Sequence, residues 1–213
     1  MNDYDDYARD EWISSLYSDF AKEVLAGHDD LYGEVIDQFT SERLQSYYVS
    51  NPRVAERALW ALGQARSLLT SHPAACLVLA VTASEVGLKS GLLKPILHGL
   101  VHDDAMAVII AELVPEQRND KFQNLLFGIL KEYGGVDLRT FKRSGASMTL
   151  WEEMQGIQKL RNGVVHRAEA IIPADAQKAV HIAAVIVERL FPAVIAKLGL
   201  ETDASFEVSV KKR

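Results

Sequence analysis

The sequence predicts an all-α fold, an antiparallel helical bundle with an additional N-terminal helical segment, on three observations. Apolar residues return every three or four positions over long stretches, as at Ala58, Ala61, Leu62 and Ala65, or at Met154, Ile157, Leu160 and Val164. Most of the few glycines and prolines fall where such stretches begin or stop. Hydrophobic residues make up 48% of the 213-residue chain and charged residues 24%, a globular balance that argues against disorder away from the termini.

Trp12, Leu16, Phe20 and Val24 lie four apart and predict a first helix over about 7–25, broken by Gly27, His28, Asp29 and Asp30. A weaker helix over Leu31 to Phe39 follows, and Thr40 or Ser41 caps another that runs to Tyr48. Ser50-Asn51-Pro52 ends that unit, which divides the chain into an N-terminal extension (1–51), a bundle (52–200) with an insertion near 95–149, and a tail (201–213). In the bundle, Val54, Ala58, Ala61, Leu62, Ala65, Leu68 and Leu69 form one helical face. Ser71-His72-Pro73 supplies a turn with proline at the first position of the next helix, which continues to Leu93 until Pro95 kinks or ends it.

Asp103 and Asp104 suit the cap and first turn of a short helix that Pro115 closes. Phe122, Leu125, Leu126, Ile129 and Leu130 make a further apolar face, stopped by Gly134-Gly135. A polar, basic loop carries Arg139, Lys142 and Arg143. Thr149, with Glu152 and Glu153, then caps a helix from Leu150 to about Ala168. Pro173 opens the last long helix, with a bend expected at Pro192, and the alternation of Phe206, Val208 and Val210 leaves the tail as a short strand or as disorder.

Several functions are disfavoured at this level. Cys76 is the one cysteine, so neither an intramolecular disulfide nor a cysteine-based zinc site can form, and its apolar neighbours imply burial. The acidic start, Met1 to Glu11, lacks the basic end and apolar run of a secretory leader, and a cytoplasmic location is expected. The most apolar stretches, 74–83 and 179–187, fall short of the roughly 20 residues that span a bilayer, so no membrane partner is expected. A net charge of -6 argues against a protein that coats nucleic acid, while leaving room for a small positive site. No repeat of solenoid length, phosphate-cradling glycine loop or nucleophilic serine or cysteine arrangement is present.

The main anomaly is Arg161-Asn162-Gly163-Val164-Val165-His166, which puts three polar groups and a glycine in a helix that packs a core. Asn162 and His166 share a face, with Arg161 flanking them. Such residues permit metal-free RNA cleavage, in which the ribose 2′-hydroxyl attacks its own phosphate. His166 would move protons, Arg161 would hold the developing phosphorane charge, and Asn162 would orient either partner. Gly163 would admit another backbone at a dimer interface.

At these residues the chain resembles the HEPN superfamily, whose mark is an arginine followed by a polar residue and, after four to six positions, a histidine. The stretch from His72 to Lys89, an apolar run ending in Glu85 and then Leu88-Lys89, is similar to the family's earlier helix. The resemblance covers about Pro52 to Leu198. It implies a HEPN-type bundle, Glu85 packed or paired near the cluster, a homodimer with facing motif helices, and no cofactor. It further implies a metal-independent endoribonuclease of an antiviral defence or toxin system, with RNA as substrate; whether a neutralising or activating protein partner accompanies it is left open. The family also has non-catalytic members, so a module that binds a protein partner or a nucleotide is the alternative.

Competing motifs are weaker. His98 and His102, four apart with Asp103 adjacent, carry the pattern of a metal-dependent phosphohydrolase, but Gly99 and Pro95 interrupt the helix and Asp103 serves as a cap. Arg139, Lys142 and Arg143 are candidate RNA-backbone contacts, although three cations in a polar loop are more often simply solvated. Trp12, Trp60 and Trp151 are expected to pack in a core or interface, and His181, in an apolar stretch, is expected to be buried.

Overall fold

A computed structural model describes residues 41–100, 127–128, 130–132 and 134–211. The sequence-predicted helices over 7–25 and 31–39, the caps at Asp103 and Asp104, and His102 lie outside the described residues. The described chain is mostly helical: α1 (41–50), α2 (Glu56–Leu68), α3 (Pro73–Val86), α4 (Lys94–Leu100), helical residues 127–128 and 130–132, α5 (Leu150–Arg167), α6 (Pro173–Val185) and α7 (Phe191–Lys197). A hairpin of β1 (Leu200–Thr202) and β2 (Val208–Val210) follows.

Each helix buries the stripe that its spacing dictates. Ala58, Ala61, Leu62 and Ala65 of α2 are buried, with Val54, Leu68 and Leu69 packed at the edge. This face lies on α3, whose buried residues include Cys76, Leu77, Ala80 and Val81. On its other sides α3 meets α5 and α6, so it is the helix around which the unit is built. Burial also pushes the Cys76 thiol up, which keeps it an unreactive core group.

Pro95 and Pro192 do not end their helices. Ahead of Pro95, residues Gly87–Leu93 widen into a π-helical turn, and α4 carries the rod on to Leu100. Ahead of Pro192, Ile186–Leu190 does the same between α6 and α7. A proline in mid-helix removes one N–H and crowds the carbonyl four residues earlier; widening the preceding turn makes room for the ring. At Pro95 the carbonyl left without its α-helical donor is that of Gly91, and the buried Tyr48 hydroxyl donates to it at 2.8 Å. Burial raises the Tyr48 phenol far above its usual range, so it stays protonated and able to donate.

The two rods, Pro73 to Leu100 and Pro173 to Lys197, lie side by side. A β-carbon on Gly87 would come within 3.0 Å of Val187 Cγ2, and one on Gly91 within 3.5 Å of the Phe191 ring. Both registers advance together, so these rods run parallel, while α2 with α3 and α5 with α6 are antiparallel neighbours joined by short turns. The expectation of an antiparallel bundle therefore holds for sequence neighbours and not for the central pair. The rods span 26 and 25 residues and are apolar enough to cross a membrane by length and composition, more than the short apolar stretches within them suggest. Of each apolar window, 61% is buried inside the protein.

Three further segments depart from or sharpen the sequence reading. Helix α1 belongs to the compact unit that starts at Ser41, because Leu44 and Tyr48 are buried in the same core as Phe191. The tail forms a hairpin with Leu200 opposite Val210 and Thr202 opposite Val208. Val208 also donates its N–H to Pro52 O at 2.9 Å, so the hairpin ties down the turn after α1. His181 is exposed rather than buried, since it falls on the stripe of Gln177 and Glu188 that points out of an otherwise apolar helix. Trp60 is 64% exposed, on the face of α2 that turns away from α3.

Two substitutions test this account. Tyr48→Phe leaves the Gly91 carbonyl short of a donor in the core and should lower the unfolding free energy by about 1–2 kcal/mol in urea titrations. Thr149→Ala removes a reciprocal cap in which Thr149 N–H donates to Glu152 Oε2 at 2.8 Å and Glu152 N–H donates to Thr149 Oγ1 at 3.3 Å. It should cost about 1 kcal/mol in the same assay.

Candidate functional site

Helix α5 begins at the Thr149–Glu152 capping box and ends at Ala168, which turns left-handed (φ 51°). Leu150 and Ile157 are buried, with Met154, Leu160 and Val164 packed at the margin, so the stripe of α5 faces α3 and α6 as its spacing predicts. Glu153 falls on that stripe and is 4% exposed. A buried carboxylate needs a partner, and Arg143 supplies a bidentate one at 2.6 and 2.8 Å, with Lys178 Nζ at 3.5 Å from α6. The Arg143 guanidinium holds the Glu153 carboxyl below the usual range against the opposing effect of burial.

That bridge gives one of the loop's three candidate RNA contacts a structural partner. Arg143 is spent on fastening the loop to α5, and Lys142 donates to Ser147 O at 2.8 Å within the loop. Arg139 lies over the Phe127 ring, 5.5 Å from its centroid. Lys142 and Arg143 thus fasten this loop, within itself and to α5. The available signal was Glu153 itself, an acid three residues after Leu150 and four before Ile157 on an apolar face.

One turn before its end, α5 carries the predicted cluster. The Arg161 guanidinium reaches across to α3, where its Nη2 donates to both oxygens of Glu85 at 3.2 Å. Its Nη1 donates to Asn162 Oδ1 at 3.0 Å, and Gln158 Nε2 donates to Glu85 Oε1 at 3.1 Å. The structure thus brings Arg161, Asn162 and Glu85 together. His166 is exposed on the last turn and stands outside this group, as does the half-exposed Val165. Gly163 is covered by its own chain: a β-carbon there would run into the Glu169 carboxylate. Its lack of a side chain makes room for Glu169, which folds back and pairs with Arg167.

Beside the Arg161–Glu85 pair, α3 and α5 leave a cleft of about 370 Å³. Its polar rim includes Glu85, Gln155, Gln158, Arg161 and Asn162, and its apolar wall includes Leu88, Trp151 and Met154. The Trp151 indole stands edge-on to Phe127, with centroids 5.1 Å apart, and its buried N–H has no acceptor among the described residues.

The metal pattern is only partly described. His98 stacks on Tyr47 with ring centroids 4.8 Å apart, and Arg43 donates to the His98 carbonyl at 3.1 Å. His102 and Asp103 lie outside the described residues, and among the described residues no group of three metal-ligating side chains gathers. In comparison with known proteins, no family model, curated protein or solved structure matches this chain.

The sign of the Glu153 effect gives a test. Its carboxyl titrates below the ordinary glutamate value in the folded state, so the stabilisation is complete above an unfolded value of about 4.3 and is lost as pH falls through the folded value. Glu153→Gln leaves Arg143 without its counter-charge and should cost about 2–3 kcal/mol at pH 7. In urea titrations that difference from the native chain should stay constant from pH 7 to about pH 5 and shrink below about pH 4.

Proposed function

We propose that this chain is a HEPN-type domain acting as a homodimeric, metal-independent endoribonuclease of a defence or toxin system. One observation carries the reading: Arg161 is held beside an open cleft by Glu85, the residue that the resemblance places near the cluster, while His166 is exposed on the next turn of the same helix. In the proposed reaction the ribose 2′-oxygen attacks the adjacent phosphorus and loses its proton to a base. The bond from phosphorus to the 5′-oxygen breaks, leaving a 2′,3′-cyclic phosphate and a 5′-hydroxyl. His166 moves a proton in this exchange, and the spare N–H groups of Arg161 meet the non-bridging oxygens as charge builds on them.

Within one chain, His166 and Arg161 do not face a common point in the cleft. The reading therefore needs a second copy to bring a histidine and an arginine to one phosphate. Val165 and Ile172, 51% and 62% exposed near His166, supply apolar surface for that contact.

The second reading is a non-catalytic binding module. It is favoured by the Glu85 carboxylate, which already neutralises Arg161. Incubating purified protein with a mixed RNA pool in excess chelator separates the two. The nuclease reading expects cleavage by the native chain and a loss of about a hundredfold or more in both His166→Ala and Arg161→Ala. RNA left intact by excess native protein would favour the binding module.

A further inference from the structure

We propose that the cleft between α3 and α5 binds a small amphipathic anion, with its acid group on Arg161 and its flat apolar body against Leu88, Trp151 and Met154. The acid is a carboxylate or a phosphate monoester. This inference rests on the cleft alone and stands whether or not the chain cuts RNA.

Four features of the cleft select this class of ligand. Its volume of about 370 Å³ lies within the range of roughly 300–1,000 Å³ that small-molecule sites occupy, which is too small for a protein partner. The lining combines polar groups, among them Ser84, Lys89, Gln155 and Arg161, with the apolar Leu88, Trp151 and Met154, a mixture that an amphipathic molecule matches.

The third feature is the donor inventory of Arg161. A guanidinium has five N–H groups, and here Nη2 spans the two Glu85 oxygens while Nη1 serves Asn162, so Nε–H and further N–H groups are unspent. The contacts to Glu85 are 3.2 Å long, against roughly 2.7–2.9 Å for a tight charge-assisted bond, and the Arg161 side chain is 26% exposed. Glu85, by contrast, already accepts from Arg161 at both oxygens and from Gln158 at one, so an incoming acid finds donors where an incoming amine finds few acceptors.

The fourth feature is unspent polarity on the other walls. The Gln155 side-chain amide, on the cleft wall, makes no hydrogen bond to the described residues, which leaves its carbonyl and N–H groups unspent. A heteroaromatic or carbonyl-bearing body would use such groups, whereas a plain hydrocarbon would not.

The test uses the full chain and anilinonaphthalene sulfonate, an aromatic anion whose fluorescence rises in apolar sites. The native protein should bind it saturably, and Arg161→Met should weaken binding by about tenfold or more. Gln155→Trp, which fills the cleft mouth without touching the ion pair, should do the same and decides the matter if Arg161→Met fails to fold. Phenylacetate and phenyl phosphate are then compared as competitors, and the stronger one identifies the acid group. Inorganic phosphate at the same concentration should displace nothing. Binding that is unsaturable or unchanged in Gln155→Trp, failure of both aromatic acids to compete, or equal displacement by inorganic phosphate would overturn the proposal.

Discussion

Between the rods that start at Pro73 and Pro173 the approach is tightest at Gly87, where a β-carbon would lie 3.0 and 3.3 Å from the Val187 and Ile186 methyl groups. Interiors pack too densely to yield by that much without displacing neighbours, so the axial register of the two rods is set at this contact. The rest of the unit depends on that register. Phe191 lies over Gly91, Tyr48 packs edge-on to Phe191 and donates to the Gly91 carbonyl, and α1 is thereby drawn into the core. In both rods a widened turn precedes the proline and makes room for its ring at this depth.

Helix α5 is fastened to this frame by charge pairs near both ends, and the two differ physically. The Glu153 carboxylate, buried and paired with Arg143, with the exposed Lys178 nearby, is costly to separate because an unpaired ion would remain in the interior. The Arg161–Glu85 pair sits at a solvent edge, with longer contacts, where water and incoming ligands compete for the same groups. One pair holds the loop and two helices in place. The other lies in partial contact with solvent, so its cost of separation is far smaller.

Much of this was legible in the sequence because it depends on neighbours along the chain. The stripe of α2, the Thr149–Glu152 cap, the stop at Gly135 (φ 68°) and the polar anomaly at Arg161, Asn162 and His166 are all local patterns. What stayed hidden depends on distant pairing. Nothing near Arg143 marks it as the counter-ion of Glu153, and nothing near Gly163 shows that Glu169 would fill its space. Proline chemistry alone allows either a kink or an end at Pro95; that the rod continues, with the distant Tyr48 donating to the Gly91 carbonyl, is not written nearby in sequence. The separation of His166 from the cleft was likewise invisible, since helix spacing orders residues around an axis without saying what covers each face.

The hydrogen bond from Val208 to Pro52 joins two of the most distant described segments. In kinetic terms such a contact forms late, because the intervening chain must be ordered before the two ends can meet. During synthesis, the turn after α1 has to wait for nearly the whole helical unit to emerge before its partner strand exists. Before α5 and α6 have emerged, α2 and α3 expose the apolar faces that those helices later cover, and that interval is when the nascent chain is most open to aggregation or to capture by chaperones.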